Sequence, residues 1–246
     1  MTDAANYSEA VLANSSFSLA STAMDFSKNW VAGNSSPEII FAYVNNSRAS
    51  SPLNFTLYVN DTDGSWNYAP SDWCYNSLFA DDNTLSRKGD VRLKATFTSQ
   101  DANRVIKYPN GTYQLAETSD YTCTPVVISR ISEMYLIKAE ALGKTNGAAA
   151  LVEYMKKRYT TAPSEAAIKA LSDKEYQTLI LDERRREFYA EGMRWQDIKR
   201  TNRLELLETL DGRTYLMYYP IPQDEIDMAG TVAYPQNPGY AGYTGN

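Results

Sequence analysis

Glu183, Glu187 and Glu191 recur every four residues inside the run Glu183-Arg184-Arg185-Arg186-Glu187-Phe188-Tyr189-Ala190-Glu191-Gly192-Met193-Arg194-Trp195. On a helix that spacing lays three carboxylates along one face. Such a row suits two chemistries. Two carboxyl groups ~5–9 Å apart across a glycosidic bond hydrolyse sugars, provided one keeps its proton. Carboxylates beside guanidinium groups instead form ion pairs, which depress their pKa and remove them from acid catalysis. Arg186 follows Glu183 by three residues and Arg194 follows Glu191 by three, within pairing reach on a helix. Phe188 and Trp195 add bulk that favours burial. The segment therefore reads first as a structural ion-paired core of Glu183, Arg186, Glu187, Glu191, Arg194 and Trp195. A carboxylate-dependent glycoside hydrolase is the competing reading.

Other reaction classes lack their groups. The chain has no histidine, which removes Ser-His-Asp and Cys-His arrangements and the commonest metal ligand. Cys74 and Cys123 are too few for a thiolate zinc site, and are either bridged or two free thiols. Asp61-Thr62-Asp63-Gly64 has the look of a calcium loop but lacks the downstream acid of an EF-hand. No metal or cofactor is expected. The formal charge is −6, with 13 acids against 8 bases up to residue 125 and 17 against 16 beyond it. The one dense basic run, Arg184 to Arg186, is flanked by acids, so nucleic acid is not an expected partner. No run of ~18 apolar residues is present to span a bilayer.

A binding surface is more readable than a catalytic one. Trp66-Asn67-Tyr68-Ala69-Pro70-Ser71-Asp72-Trp73-Cys74-Tyr75-Asn76 interleaves four aromatic rings with polar side chains. Sugar rings stack their C–H faces on aromatic rings while amides and carboxylates bond the hydroxyls, so Trp66, Asn67, Tyr68, Asp72, Trp73 and Tyr75 are candidate glycan contacts. The competing role for Trp66 and Trp73 is the core of a loop region poor in aliphatics.

The elements that position these residues are mostly helical. Ser172 and Glu175 form a capping-box pattern that opens a helix expected over 173–191, with Tyr176, Leu179, Ile180 and Phe188 as its apolar stripe and Gly192 as its stop. Val127, Ile131, Met134, Tyr135 and Leu142 mark another helix ending at Gly143. Ala148, Leu151, Val152, Tyr154 and Met155 mark its antiparallel neighbour, a hairpin of tetratricopeptide type. Ala4 to Leu12 form a first helix. Tyr215-Leu216-Met217-Tyr218-Tyr219 reads as a short strand stopped by Pro220, and Asp224 to Ile226 as a helical turn. The expected fold is mainly α, with tetratricopeptide-like hairpins and a loop-rich region holding a few short strands. Its expected parts are a scaffold helix at 1–24, a loop-rich ligand-contact region at 25–125, and helices with a proline-rich tail at 126–246.

Three blocks then occur in a telling order. They are Arg130-Ile131-Ser132-Glu133-Met134-Tyr135-Leu136-Ile137-Lys138-Ala139-Glu140-Ala141, the Glu183-to-Arg200 segment, and Tyr218-Tyr219-Pro220-Ile221-Pro222-Gln223-Asp224-Glu225-Ile226 with Pro235-Gln236-Asn237-Pro238-Gly239-Tyr240. This series resembles the C-terminal half of SusD/RagB-type outer-membrane nutrient-binding lipoproteins over about residues 130–240. The resemblance implies a non-catalytic oligosaccharide-binding protein on the outer membrane surface, capping a TonB-dependent SusC-like transporter. It also implies a lipid anchor in a preceding part of a longer protein, since Met1 to Asn6 carry no export signal. A helical-repeat scaffold that only holds another protein is the alternative.

Overall fold

The computed structural model describes residues 2–31, 36–44, 69–97, 105–107, 125–207, 210–230 and 234–241. The chain divides into two compact units, Met1–Glu191 and Gly192–Asn246.

In the first unit, α1 (Thr2–Leu12) packs along α4 (Ile131–Arg158). Helix α4 is two helices in one. Gly143, at φ 67° and ψ 175°, breaks it into arms that fold back on each other, as the Tyr135 hydroxyl bond to Glu153 across the arms shows (3.0 Å). The arms cross closely at Gly147, where a Cβ would collide with the Ala139 carbonyl oxygen and the Tyr176 hydroxyl. Helices α5 (Glu165–Ala170) and α6 (Asp173–Glu187) both pack on α4.

Local chemistry sets the start of α6, and a distant contact sets its end. Its capping box is complete: Glu175 N donates to Ser172 Oγ at 3.2 Å, and Ser172 N donates to Glu175 Oε2 at 2.7 Å. Along its length the buried face changes character, from Tyr176, Leu179 and Ile180 to Glu183, Arg186 and Glu187. The helix ends at Glu187, four residues before the expected 191. Phe188 is its C-cap and Ala190 takes a left-handed φ of 63°. The reason is tertiary: Lys107 Nζ, 80 residues away in sequence, donates to the Glu187 and Tyr189 carbonyl oxygens at 3.0 Å each, satisfying end groups that a longer helix would use internally. Gly192 is left-handed at φ 79°, as a stop would require, yet it serves as N-cap of the next helix.

The stretch expected to be loops with strands carries more helix than that. Thr22 caps α2 (Ala23–Ser27), which runs into a 3₁₀ turn, Lys28–Trp30. Asp90 caps α3 (Val91–Thr96) through Arg92 N at 2.9 Å. Cys74–Leu78 forms a π-helical turn. Among the described residues, strands are short and come in two antiparallel pairs. β1 (Ile39–Tyr43) pairs with β3 (Val126–Arg130), and β2 (Lys88–Asp90) with β4 (Tyr159–Thr161). The β2–β4 contact requires Gly89, whose φ is 65° and whose missing side chain leaves room for Thr160.

The second unit holds α7 (Met193–Thr201), 3₁₀ turns at Leu204–Leu206 and Thr214–Met217, and α8 (Gln223–Met228). The strand expected at Tyr215–Tyr219 is absent. Thr214–Met217 bonds to itself instead, with Tyr218 N donating to Tyr215 O at 3.0 Å. An extended segment needs a partner strand for its backbone groups, and Pro220 and Pro222 leave it too few donors for a ladder.

Candidate functional site

Glu183 and Glu187 project from α6 into a fully buried array of charges. Glu183 Oε1 accepts from the Tyr159 hydroxyl at 2.6 Å and from Arg186 Nη1 at 2.9 Å, while its Oε2 accepts from Arg92 Nη2 at 2.8 Å. Glu187 is gripped by Arg158, whose Nε and Nη2 each donate at 2.9 Å, and its Oε2 also accepts from the Tyr154 hydroxyl at 2.8 Å. Arg158 reaches further: Nη2 meets Glu38 Oε1 at 2.7 Å and Nη1 donates to Ala20 O at 2.6 Å. Glu191 accepts from Arg130 Nη1 at 2.6 Å and Lys107 Nζ at 2.5 Å.

The electrostatics follow from this packing. Burial pushes the Glu187 carboxyl up, but Arg158, Arg130 and Arg92 outweigh it and hold it well below the usual carboxylate range. Glu183 is likewise pushed up by burial and pulled below its ordinary value by Arg92, Arg186 and Arg87. Burial lifts Tyr154 and Tyr159 well above the ordinary phenol range. Lys107 is pushed down to about 8 by burial, with Glu191 opposing and Arg130 assisting. Its ammonium lies 4.4 Å from the Trp30 ring centroid and 5.8 Å from that of Phe26, two fully buried rings. Ionised carboxylates without solvent access cannot lend a proton to a leaving group.

The partners in this network come from α3, β3, α4, β4, the segment before β1 and Lys107. Reading α6 alone identifies Arg186 but not Arg92, Arg130, Arg158, Lys107 or Glu38. Arg130 opens a motif block, whereas Arg158 closes α4 behind Lys156 and Lys157 and reads as a solvated helix end. Arg194 and Trp195 belong to α7 in the second unit, where both are partly exposed; Trp195 is not the buried bulk expected of it.

Of the aromatic cluster, Trp66, Asn67 and Tyr68 lie outside the described residues, as do Cys123 and Asp61 to Gly64. The others sit on a helical turn and not on a loop. Asp72 is exposed there. Trp73 is 37% exposed, with the Arg185 guanidinium 4.2 Å from its ring centroid. Tyr75 turns inward, its ring 5.4 Å from that of Phe97, and joins the cluster of Cys74, Leu78, Phe79, Phe97 and Val105. Cys74 Sγ lies 3.2 Å from the Tyr189 hydroxyl. Among the described residues, no group of acids and thiols is arranged to hold a metal ion. None of the described helices is long and apolar enough to cross a membrane.

Fold and network together define a mainly helical scaffold locked by buried ion pairs. The chain belongs to the SusD family, whose model matches residues 81–212. That span contains Arg92, Arg130, Arg158 and the three glutamates, but not Trp73. A SusD-like protein of Formosa agariphila is 30% identical over 142 residues, covering 52% of this chain and 27% of that protein. A SusD superfamily protein of Bacteroides fragilis shares the fold with a TM-score of 0.64 at 21% identity, over 97% of this chain and 58% of that one. Surface glycan-binding protein A of Bacteroides thetaiotaomicron, solved in complex with laminarihexaose, matches with a TM-score of 0.57 at 22% identity, over 95% of this chain and 58% of that one. The chain thus spans little more than half the length of these solved structures, and its alignment with the Formosa protein covers about a quarter of that protein.

Proposed function

We propose that this chain is a non-catalytic glycan-binding component of an uptake system at the outer membrane surface, working with a TonB-dependent SusC-like transporter. The observation that carries the reading is a contrast between two groups in the first unit. The carboxylates capable of hydrolysis are sealed and ion-paired, whereas the Trp73 indole is presented outward on a short helical turn. A guanidinium stacked against that ring restrains it, so binding a sugar face orders little that is not already ordered. Asp72 beside it supplies an acceptor for hydroxyl groups, and Trp66, Asn67 and Tyr68 extend the candidate surface along the sequence. The shared fold with a laminarihexaose-bound protein supports an oligosaccharide as the ligand class. A lipid anchor in a preceding segment would tether the protein at the surface.

Glycan-array screening of the 246-residue chain tests this reading. Signal on oligosaccharides that strengthens with chain length, through several weak subsites, is the expected result. A scaffold that only holds another protein is the second reading, favoured by Phe41, Tyr43 and Ile128, which are all at least half exposed on β1 and β3. An array without signal on any glycan selects it.

A further inference from the structure

Tyr218 flanks a groove of about 330 Å³ in the second unit, whose walls include Lys199, Asn202, Thr214, Tyr215 and Pro238. That volume suits a small ligand, for which sites of ~300–1,000 Å³ are usual. It offers little to a protein partner, whose stable interfaces bury ~800 Å² on each side. The Tyr218 side chain is 62% exposed, yet its backbone is fixed from behind. Tyr240 Oη donates to Tyr218 O at 2.6 Å, and Asn237 Nδ2 donates to Tyr219 O at 2.8 Å. The Gln236 side chain accepts from Ile221 N at 2.7 Å and donates to Ile221 O at 2.8 Å. Tyr215 packs edge-on against Tyr240 with ring centroids 5.1 Å apart. It fills the space a side chain on Gly239 would need, at a backbone φ of 88°. The proline-rich tail therefore makes one wall of the groove rigid before any ligand arrives.

We propose that this groove is a saccharide subsite. Tyr218 offers its ring to the C–H face of one sugar unit, and Asn202, Thr214 and Lys199 bond that unit's hydroxyl groups. Tyrosine supplies such contact area at low cost in conformational entropy, the more so on a fixed backbone. The inference rests on the glycan reading above and adds a contact surface separate in sequence from the Trp73 turn.

Calorimetry of the full chain with laminarihexaose, cellohexaose, xylohexaose and maltohexaose tests it, with Tyr218→Ala, Tyr218→Phe, Thr214→Val and Trp73→Ala as variants. For whichever hexasaccharide the parent binds, Tyr218→Ala raises Kd about fivefold or more and Tyr218→Phe changes it less than about twofold. Thr214→Val, which keeps the side-chain shape and removes the hydroxyl, weakens binding independently of any effect Tyr218→Ala has on folding. Parent-like binding by both Tyr218→Ala and Thr214→Val, beside weakened binding by Trp73→Ala, overturns this inference and leaves the glycan reading standing. An absence of binding by the parent to all four sinks both.

Discussion

Arg158 and Glu187 meet through two parallel hydrogen bonds of 2.9 Å each, with both side chains fully buried. Arg158 also binds Glu38, so one guanidinium joins the C-terminal end of α6 to the segment entering β1. A paired, fork-shaped contact of this kind fixes orientation as well as charge.

Removing one partner should therefore harm the fold through the charge it leaves unpaired, so the two single losses should not add. Arg158→Met leaves Glu187 and Glu38 short of a cation in a dry interior, and is expected to destabilise the first unit by ~3–5 kcal/mol. Arg158→Lys keeps the charge but loses the fork, and should recover only part of that loss. Adding Glu187→Gln to Arg158→Met is expected to cost less than the sum of the two single changes. Urea unfolding of the parent, the three single variants and the double variant checks the order.

Acid should act through the same groups. Glu183 and Glu187 are held below their ordinary pKa in the folded chain, so the unfolded chain takes up protons first as the pH falls. Their stabilising contribution is complete above the unfolded carboxylate pKa of ~4.3 and is lost as the pH falls through the folded values. The urea midpoint should decline steadily below about pH 4.5, and Glu187→Gln should flatten that decline. A parent midpoint unchanged from pH 6 to 3 contradicts this.

The alkaline limb slopes the same way, through a buried base instead of buried acids. Burial pushes Lys107 down to about 8, so between that value and ~10.5 the unfolded chain binds the proton that the folded chain has shed. Stability contributed by this group then rises with pH, by at most about 1.4 kcal/mol per unit. Measured against Lys107→Met at pH 8 and pH 9.5, the parent should gain relative to the variant. Tyr154 and Tyr159 oppose this only above pH ~10, where the unfolded phenols begin to ionise.

Gly147 offers a test of packing without charge. Gly147→Ala places a methyl group against the Ala139 carbonyl and the Tyr176 hydroxyl, which are already bonded to each other at 2.8 Å. Forcing the arms of α4 apart should lower stability by ~1–3 kcal/mol despite the better helix propensity of alanine. A thermal midpoint at or above the parent's would show that the arms can yield.

What could be read beforehand, and what could not, follows the range of each interaction. The start of α6 is visible because Ser172 and Glu175 act over three residues, and the Glu183–Arg186 pair because it acts over one helical turn. The C-terminal end of α6 is set by Lys107, which lies 80 residues away in sequence, so local pattern overran it. Arg92 reaches Glu183 across 91 residues and leaves no periodic trace. Tyr215 to Tyr219 form a short aromatic and aliphatic run like a strand, but composition cannot supply the partner that a strand needs. Asp72 to Tyr75 read as a loop because the Asn, Ser and Asp around them favour turns; the turn is helical, with Cys74 and Leu78 buried beneath it.

Calorimetric titration of the chain with the glycan it recognises most strongly on an array tests the central claim most directly, comparing the parent with Trp73→Ala and Trp66→Ala. Saturable heat in the parent, weakened about fivefold or more in at least one variant, with no reducing ends released afterwards, is the predicted result. Reducing ends that accumulate in the parent sample and vanish in Glu187→Gln would contradict it, because a sealed, ion-paired carboxylate could not have produced them.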